Sequence, residues 1–316
     1  MAVIGIDLGG TKLAGALFQH DGMCINKVVI PLEKRKGDEV GALINSLIRT
    51  ETDFAKKERM SIRAIGCCVP GIAFPVTGRV WAPNIRNWED YPLLEKIRTE
   101  VPDESIRIIL DNDRACSLSG EVWKGAARNC NNVIFLSVGT GIGAGIMIEG
   151  KILRGSADAA GAIGWLALNP VFRNGYTDCG CFEYHASGDG LLRTARDYME
   201  LDRQYRGMLR YDRPEDLTTQ GVFDAFRQKD AIAVKVVDQA IRYWGMTVAN
   251  LVSLFNPEKI IFGGGVFGPA VEFLEDILLE ARKWAQPVSI NQVKIEASLL
   301  GGNAGLFGAA WIALSS

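Results

Sequence analysis

The chain has 316 residues, 48% of them hydrophobic and 23% charged, with a formal net charge of −2. That balance belongs to an ordinary globular protein with chain enough for two cored domains, and it offers no basic footprint for nucleic acid. No apolar run is long enough to span a bilayer. The N-terminus reads as a strand rather than a signal peptide. The seven cysteines include the neighbours Cys67 and Cys68 in an apolar stretch, which points to reduced thiols and a cytoplasmic address.

Residues 2–6 are short and apolar, as in a buried strand, and 13–18 suit the returning strand of a hairpin. Between them Gly9 and Gly10 allow a tight turn and close approach by a ligand. Thr11 and Lys12 add a hydroxyl and a cation beside free backbone N–H groups, a concavity suited to phosphates. Asp7, at the strand's end, is placed to hold a hydrated Mg²⁺. A plain Gly-Gly hairpin with solvated Thr and Lys fits the same residues. A third strand follows at 28–31. Residues 40–54 carry Val40, Leu43, Ile44, Leu47 and Ile48 at the spacing of an amphipathic helix. A buried strand is expected at 62–69, closed by Pro70-Gly71, then a structured loop over 74–91, a helix over 91–101 and a strand over 106–110.

Asp111-Asn112-Asp113 then leads into a helix over 114–126. Strand, carboxylate, helix places Asp113 at a strand's C-terminal edge, where open α/β sheets bind ligands. The next strand, 133–138, runs into Gly139-Thr140-Gly141-Ile142-Gly143 and a partner strand at 146–148. This second glycine hairpin repeats the first, and the echo suggests two similar sheet domains facing each other across a cleft. Residues 155–190 read as irregular. From 191 the chain reads as mostly helical, with a long apolar-striped helix over 231–255. A strand over 257–262 leads into Gly263-Gly264-Gly265, and a last helix covers 303–313.

These pieces resemble the ROK (repressor, open reading frame, kinase) family of sugar kinases, across nearly the whole chain. The motifs are DLGGTK at 7–12, VPG at 69–71, PNIRNW at 83–88, DNDRA at 111–115, GTGIGAG at 139–145, GGG at 263–265 and GNAGLFGAA at 302–310. The resemblance implies an α/β fold of two actin-like ATPase (ribonuclease-H-like) domains facing a central cleft. Residues 1–117 would form the smaller domain, completed by a last helix at about 302–316, and 118–301 the larger. It implies ATP-dependent phosphorylation of a hexose hydroxyl, with glucose as the default, or a catalytically weakened sugar sensor of the same fold. The implied ligands are ATP, Mg²⁺ and a small-molecule sugar, with neither nucleic acid nor membrane as partner and a homodimer as a loose expectation.

By the same resemblance, Gly9, Gly10, Thr11 and Lys12, with Asp7 behind them, grip the ATP phosphates together with Gly139, Thr140, Gly141 and Gly143. Gly263, Gly264 and Gly265 lie by the ribose and base. Gly71, Asn84, Asn112, Asp113 and Glu183 bind the sugar, and Asp113 is the base. Phosphoryl transfer needs positioning, charge neutralisation and one acceptor for the hydroxyl proton, and a carboxylate supplies the acceptor. Three residues carry a plainer alternative: Asp113 as a helix N-cap, Asn84 as a turn residue bonding its own backbone, and Glu183 as a solvated first-turn acid.

The sequence departs from the family pattern in one region. The family's Gly-Glu-Ile-Gly-His reads Gly161-Ala162-Ile163-Gly164-Trp165, so the sugar-contacting Glu and the zinc-binding His are replaced. Where the zinc loop's first two cysteines would stand are Asn174 and Tyr176, while Gly180-Cys181-Phe182-Glu183 remains. No zinc site is expected, because a structural zinc needs about four N or S ligands. Cys179, Cys181 and His185 are three neighbours without an evident fourth ligand, and the cysteines read as buried small hydrophobes. Packing by Trp165, Phe172 and Tyr176 is expected to replace the metal. Trp165 either stacks on a sugar or fills core.

Overall fold

Short apolar runs separated by glycine turns and amphipathic helices give this chain two layered α/β units. The computed structural model describes residues 1–211 and 213–315. The first unit holds Met1–Asn129, Arg154–Ala160 and the chain from Asn303 onward; the second holds Cys130–Leu153 and Gly161–Gly302.

In the first unit, β1 (Ala2–Leu8) pairs antiparallel with β2 (Lys12–Gln19), and β2 with β3 (Cys24–Pro31). Helix α1 (Asp38–Lys57) follows, burying Val40, Ile44, Leu47 and Ile48 as its periodicity requires. Then come β4 (Ile62–Val69), a small hairpin of β5 (Ile72–Phe74) and β6 (Arg79–Trp81), helix α2 (Leu93–Glu100), β7 (Arg107–Asn112) and helix α3 (Asp113–Lys124). The sheet order is β3-β2-β1-β4-β7, with β1, β4 and β7 parallel. Their register sets Asp7 beside Cys68 and Cys68 beside Asp111. The C-terminal helix (Ala304–Ser315) packs on this sheet through small residues. A Cβ on Gly5 would lie 2.9 Å from the Leu306 carbonyl oxygen, and one on Gly308 would collide with that of Cys116. The glycines and alanines of the last motif are therefore there for close backbone packing.

The second unit's sheet is β8 (Val133–Val138), β9 (Ile142–Ile148), β10 (Lys151–Ile152), β11 (Lys259–Gly263) and β12 (Lys294–Ala297), in the order β10-β9-β8-β11-β12. Strand senses repeat those of the first sheet: β9 is antiparallel to β8 and β10, whereas β8, β11 and β12 are parallel. Its helices are α4 (Tyr176–Cys179), α5 (Cys181–Ala186), α6 (Gly188–Leu201), α7 (Thr219–Arg227), α8 (Ala231–Phe255), α9 (Leu274–Arg282) and α10 (Pro287–Ile290). Helix α8 is the spine, burying Val236, Val237, Ala240, Trp244 and Val248. It starts where Asp230 accepts from the Ile232 and Ala233 N–H groups, both at 3.0 Å, and stops at left-handed Asn256.

Several elements differ from the sequence reading. Strand β3 begins at Cys24 rather than 28, pairing across a register shift at Leu17/Phe18. The expected loop over 74–91 contains β6, and its remainder is tied by Trp88, which stacks on Tyr91 at 4.3 Å and donates to the Gly37 carbonyl at 3.0 Å. The expected domain boundary at 117 falls inside α3; the helix is unbroken, and the first unit runs on to Asn129. The region over 155–190 holds α4 and α5, and α6 starts at Gly188, where Ser187 caps it by accepting from Gly190 N–H at 3.0 Å. Strand β12 was not expected, since Lys294–Ala297 has only four residues and no clean alternation.

Candidate active site

In the first unit the parallel strands end in polar residues. Asn112 is the N-cap of α3: its Oδ1 accepts from the Ala115 N–H at 2.9 Å, which satisfies one of the helix's free donors. The capping role open to Asp113 on sequence therefore belongs to its neighbour. Asp113 keeps a solvent-accessible face yet is densely ringed by protein, and that desolvation lifts its carboxyl to about 6. The Arg114 guanidinium opposes the rise, and the Asp7 carboxylate adds to it. Asp7 is itself raised by burial, against the pull of the Cys68 thiol and the Lys12 ammonium. It lies against the first turn of the C-terminal helix, where a Cβ on Gly305 would come within 2.9 Å of its carboxyl. Cys68 and Cys116 are fully buried beside them; the bond to Cys116 and burial push the Cys68 thiol well up, and burial raises that of Cys116.

Sequence reasoning missed Arg154. It grips both carboxylate oxygens of Asp111, one through Nη2 at 2.6 Å, and also reaches Asp158 at 3.4 Å. Asp111 Oδ1 further accepts from the Asn112 N–H at 2.8 Å, so the pair braces the backbone that carries Asp113. No motif marks Arg154; only a basic residue beside a glycine in an irregular stretch hinted at it.

The β1–β2 turn closes through Gly9 N–H donating to the Lys12 carbonyl at 2.9 Å. Gly10, Thr11 and Lys12 are exposed, and nothing lies within 4 Å of a Cβ built on Gly10, so the turn has an open face. Asn84 is exposed on the loop tied by Trp88, and its side chain has no partner among the described residues. Gly71 has φ +92°, and a Cβ there would collide with the Trp81 carbonyl. A backbone reason thus suffices for that glycine.

In the second unit, Gly139-Thr140-Gly141 is the β8–β9 turn, whereas Gly143 sits within β9 opposite Ser137. The Gly263-Gly264-Gly265 turn packs against it: Gly264 has φ +86°, and a Cβ would collide with the Val138 carbonyl. Gly139's carbonyl accepts from the Gly188 N–H at 2.7 Å, which ties the turn to the start of α6. Glu183 reaches the same turn from α5. Its Oε2 accepts from the Ile142 N–H at 2.6 Å, and a Cβ on Gly141 would lie 2.7 Å from that oxygen. Burial raises the Glu183 carboxyl, and the Ile142 bond works against the rise. The sugar-binding expectation left this anchoring role unseen.

The sequence profile of the ROK family matches residues 3–316. The chain belongs to the ROK family. It is 34% identical to a glucokinase of Halalkalibacterium halodurans, over 98% of this chain and 94% of that one. Among solved structures it resembles a ROK hexokinase from Thermus thermophilus, with 30% identity, a TM-score of 0.81 and coverage of 98% and 97% of the two chains. It also resembles a ROK family glucokinase from Streptomyces griseus in complex with glucose and AMPPNP, with 27% identity, a TM-score of 0.80 and full coverage of both chains. The fold is that of the actin-like ATPases, two sheets of one topology in a single chain.

Within the ROK frame the region 161–185 is rebuilt. Trp165 is 57% exposed and Phe172 67% exposed, so neither fills core, although Phe172 meets Tyr176 edge-on at 6.0 Å; the expected packing by Trp165 is corrected. Tyr176 alone of the three is buried. Its hydroxyl bonds His185 Nε2 at 2.6 Å, Gln239 meets Nδ1 at 3.2 Å, and Tyr243 stacks on the ring at 4.6 Å. Both imidazole nitrogens are thus occupied, and burial together with the Arg173 and Arg193 charges lowers the His185 pKa to about 4. The residues present do not fit zinc. Among the described residues no cluster of three or more His, Cys, Asp or Glu side chains is disposed to hold a metal. His185 is instead a neutral imidazole held in an aromatic cage.

Proposed function

We propose that this ROK protein transfers the γ-phosphoryl group of ATP to a hydroxyl of a hexose, with Asp113 as the base. It is an ATP-dependent sugar kinase, and the observation that carries the assignment of Asp113 is its carboxyl, free of the helix cap, at the C-terminal edge of the parallel strands. Its pKa near 6 lets it accept a proton at neutral pH while remaining basic enough to do so usefully. The sugar hydroxyl passes its proton to Asp113 as its oxygen attacks the γ-phosphorus, and ADP leaves. Asn112 and Asn84 orient the sugar through their amides and Gly71 through its backbone, while the free face of Glu183 contacts a hydroxyl.

The backbone N–H groups of Gly9 and Gly10, with Thr11 and Lys12, take phosphate oxygens, as do Gly139, Thr140, Gly141 and Gly143. Gly263, Gly264 and Gly265 border the nucleoside. The residues at Asp7 fit a divalent cation, because burial raises both the Asp7 and Asp113 carboxyls and the Asp7 charge adds to the rise at Asp113, a cost that positive charge relieves. Asp7 would hold Mg²⁺ there, and the ion would supply positive charge against the phosphates. Glucose is the first substrate to try, given the glucokinase relative. Ala162 and Trp165 remove two polar partners worth about 1–3 kcal/mol each in discrimination, so other hexoses and N-acetylhexosamines belong in the panel. The cysteine usage, with Cys67 and Cys68 adjacent in buried β4, supports a reducing, cytoplasmic setting.

A coupled ADP-release assay over that panel, with Asp113→Asn as control, tests the reading. Turnover in wild type and its loss in the variant support it. Equal inertness of both, with a sugar still raising thermal stability, would replace it with a sugar sensor.

A further inference from the structure

The end of α6 and the chain after it concentrate cations. Arg193, Arg196, Arg203, Arg206, Arg210 and Arg213 follow in close succession. Two of them are engaged: Arg193 donates to the Tyr184 carbonyl at 2.8 Å, and Arg213 pairs with Asp216 at 2.8 Å. The other four line a single cavity of about 210 Å³. Among the described residues Arg206 bonds only backbone carbonyls, those of Arg203 and Tyr205. Arg196, Arg203 and Arg210 make no ion pair or side-chain hydrogen bond among the described residues, and the Nε of Arg196 is buried without a partner.

Such an arrangement is costly as it stands. A buried donor left without a partner forfeits its hydration with nothing in exchange. Two carboxylates line the same wall as the four guanidinium groups, Glu200 and Asp202, and neither pairs with them among the described residues. Asp202 instead accepts from the Gln204 N–H at 3.1 Å. The helix dipole does not explain the cluster, because Arg203, Arg206 and Arg210 lie beyond the end of α6 at Leu201. A planar fork of donors matches the oxygens of a phosphoryl group, and arginine is suited to that task.

Glu200 and Arg203 also border a second, larger cavity of about 800 Å³. Its wall includes Thr194, Asp197 and Gln239, donors and acceptors suited to hydroxyl groups. The smaller cavity lies below the range of a whole metabolite site and the larger one within it. Neither shares a lining residue with the Gly139 or Gly263 turns. We propose that the two cavities form a second ligand site for a phosphorylated polyhydroxy metabolite, its phosphoryl group among Arg196, Arg203 and Arg210 and its hydroxylated body against Asp197 and Thr194. A ligand of that class is chemically akin to the product of sugar phosphorylation, so the site gives the enzyme a means to sense phosphorylated sugar apart from its catalytic residues.

The test uses the full chain saturated with AMPPNP and glucose, which fill the strand-end site, titrated calorimetrically with inorganic phosphate and with glucose 6-phosphate. The expected result is one further site that takes the sugar phosphate at least tenfold more tightly than phosphate alone. Arg203→Gln should weaken both about tenfold, whereas Asp197→Ala should weaken only the sugar phosphate. Both residues are exposed, so both variants should melt like wild type and keep basal turnover. Arg196→Lys gives an independent check on the buried donor. Absence of a further site, equal affinity for the two probes, or binding indifferent to Arg203→Gln overturns the proposal.

Discussion

Strand for strand the two sheets correspond, β3-β2-β1-β4-β7 against β10-β9-β8-β11-β12, yet their ligand edges differ. The first unit ends its parallel strands in Asp7, Asp111, Asn112 and Asp113. The second ends β11 in Gly263-Gly264-Gly265 and turns β8 through Gly139-Thr140-Gly141. Carboxylates and a cap amide can move a proton, orient hydroxyls and hold a cation. Bare glycine backbone supplies no acid or base, but it lets N–H groups and peptide planes approach a phosphate or nucleoside closely. On the roles proposed above, one scaffold carries acid–base chemistry on one copy and shape on the other.

If that division holds, damage to each edge has its own signature. Asp113→Asn keeps the size and the neighbouring cap of Asn112 while removing the base. It should lower kcat by about 10²–10⁴-fold, with sugar still raising the melting temperature. In wild type, kcat/KM should fall about tenfold per pH unit below about 6 as the Asp113 carboxyl takes up its proton, and the Asn variant should lack that limb. An unchanged kcat in the variant would remove Asp113 from the chemistry.

Gly264→Ala attacks the other edge. Gly264 has φ 86° and ψ 169°, a region almost confined to glycine, and its Cβ would meet the Val138 carbonyl one residue before Gly139. The substitution should destabilise the fold by about 1–3 kcal/mol and raise KM for ATP more than KM for sugar. A rise confined to the sugar KM would contradict the assignment of this turn to the nucleotide.

How much of this was legible beforehand follows the same division. The glycine turns and the DND sequence are local signals, since a strand, a turn chemistry and a helix start lie within about a dozen residues. Their place at the sheet edge was therefore readable. What decides between Asn112 and Asp113 as the cap is a single φ/ψ choice that composition does not encode. The Arg154–Asp111 pair joins residues 43 apart in sequence, and the β12 pairing joins short runs with no periodicity of their own. The rebuilt segment misled for another reason. Trp165 and Phe172 are large and apolar and were assigned to packing, but burial there is taken by Tyr176 and His185, whose partners Gln239 and Tyr243 come from distant α8.

Glu183 sharpens the comparison, because it is a carboxylate in the unit that otherwise uses backbone. Its bond to the Ile142 N–H braces the Gly139–Gly141 turn, proposed above to take phosphate. Glu183→Gln keeps an acceptor oxygen and removes the charge, a loss of about 1 kcal/mol for a bond to a charged group. KM for ATP should rise about three- to tenfold. If instead only the sugar KM moves, Glu183 serves the sugar and the turn stands without it.

The smallest effect is the most discriminating, since pH should shift the stability of the two units in opposite directions. Asp113 is raised from 3.8 to about 6 in the folded chain. Between those values the folded state binds more protons than the unfolded, so this group's contribution grows as pH falls through 6 and is lost as pH rises. His185 is lowered from 6.5 to about 4. There the unfolded state binds the proton first, so its contribution is complete above 6.5 and declines as pH falls toward 4. Hydrogen exchange at pH 7 and pH 5 reads the two locally, in α3 for the first unit and in α5 and α8 for the second. Relative to wild type, Asp113→Asn should erase the acid-side gain in α3 protection, and His185→Gln should erase the acid-side loss in α5 and α8. Changes of the same sign in both units would show that a shared opening, rather than these two side chains, governs the response.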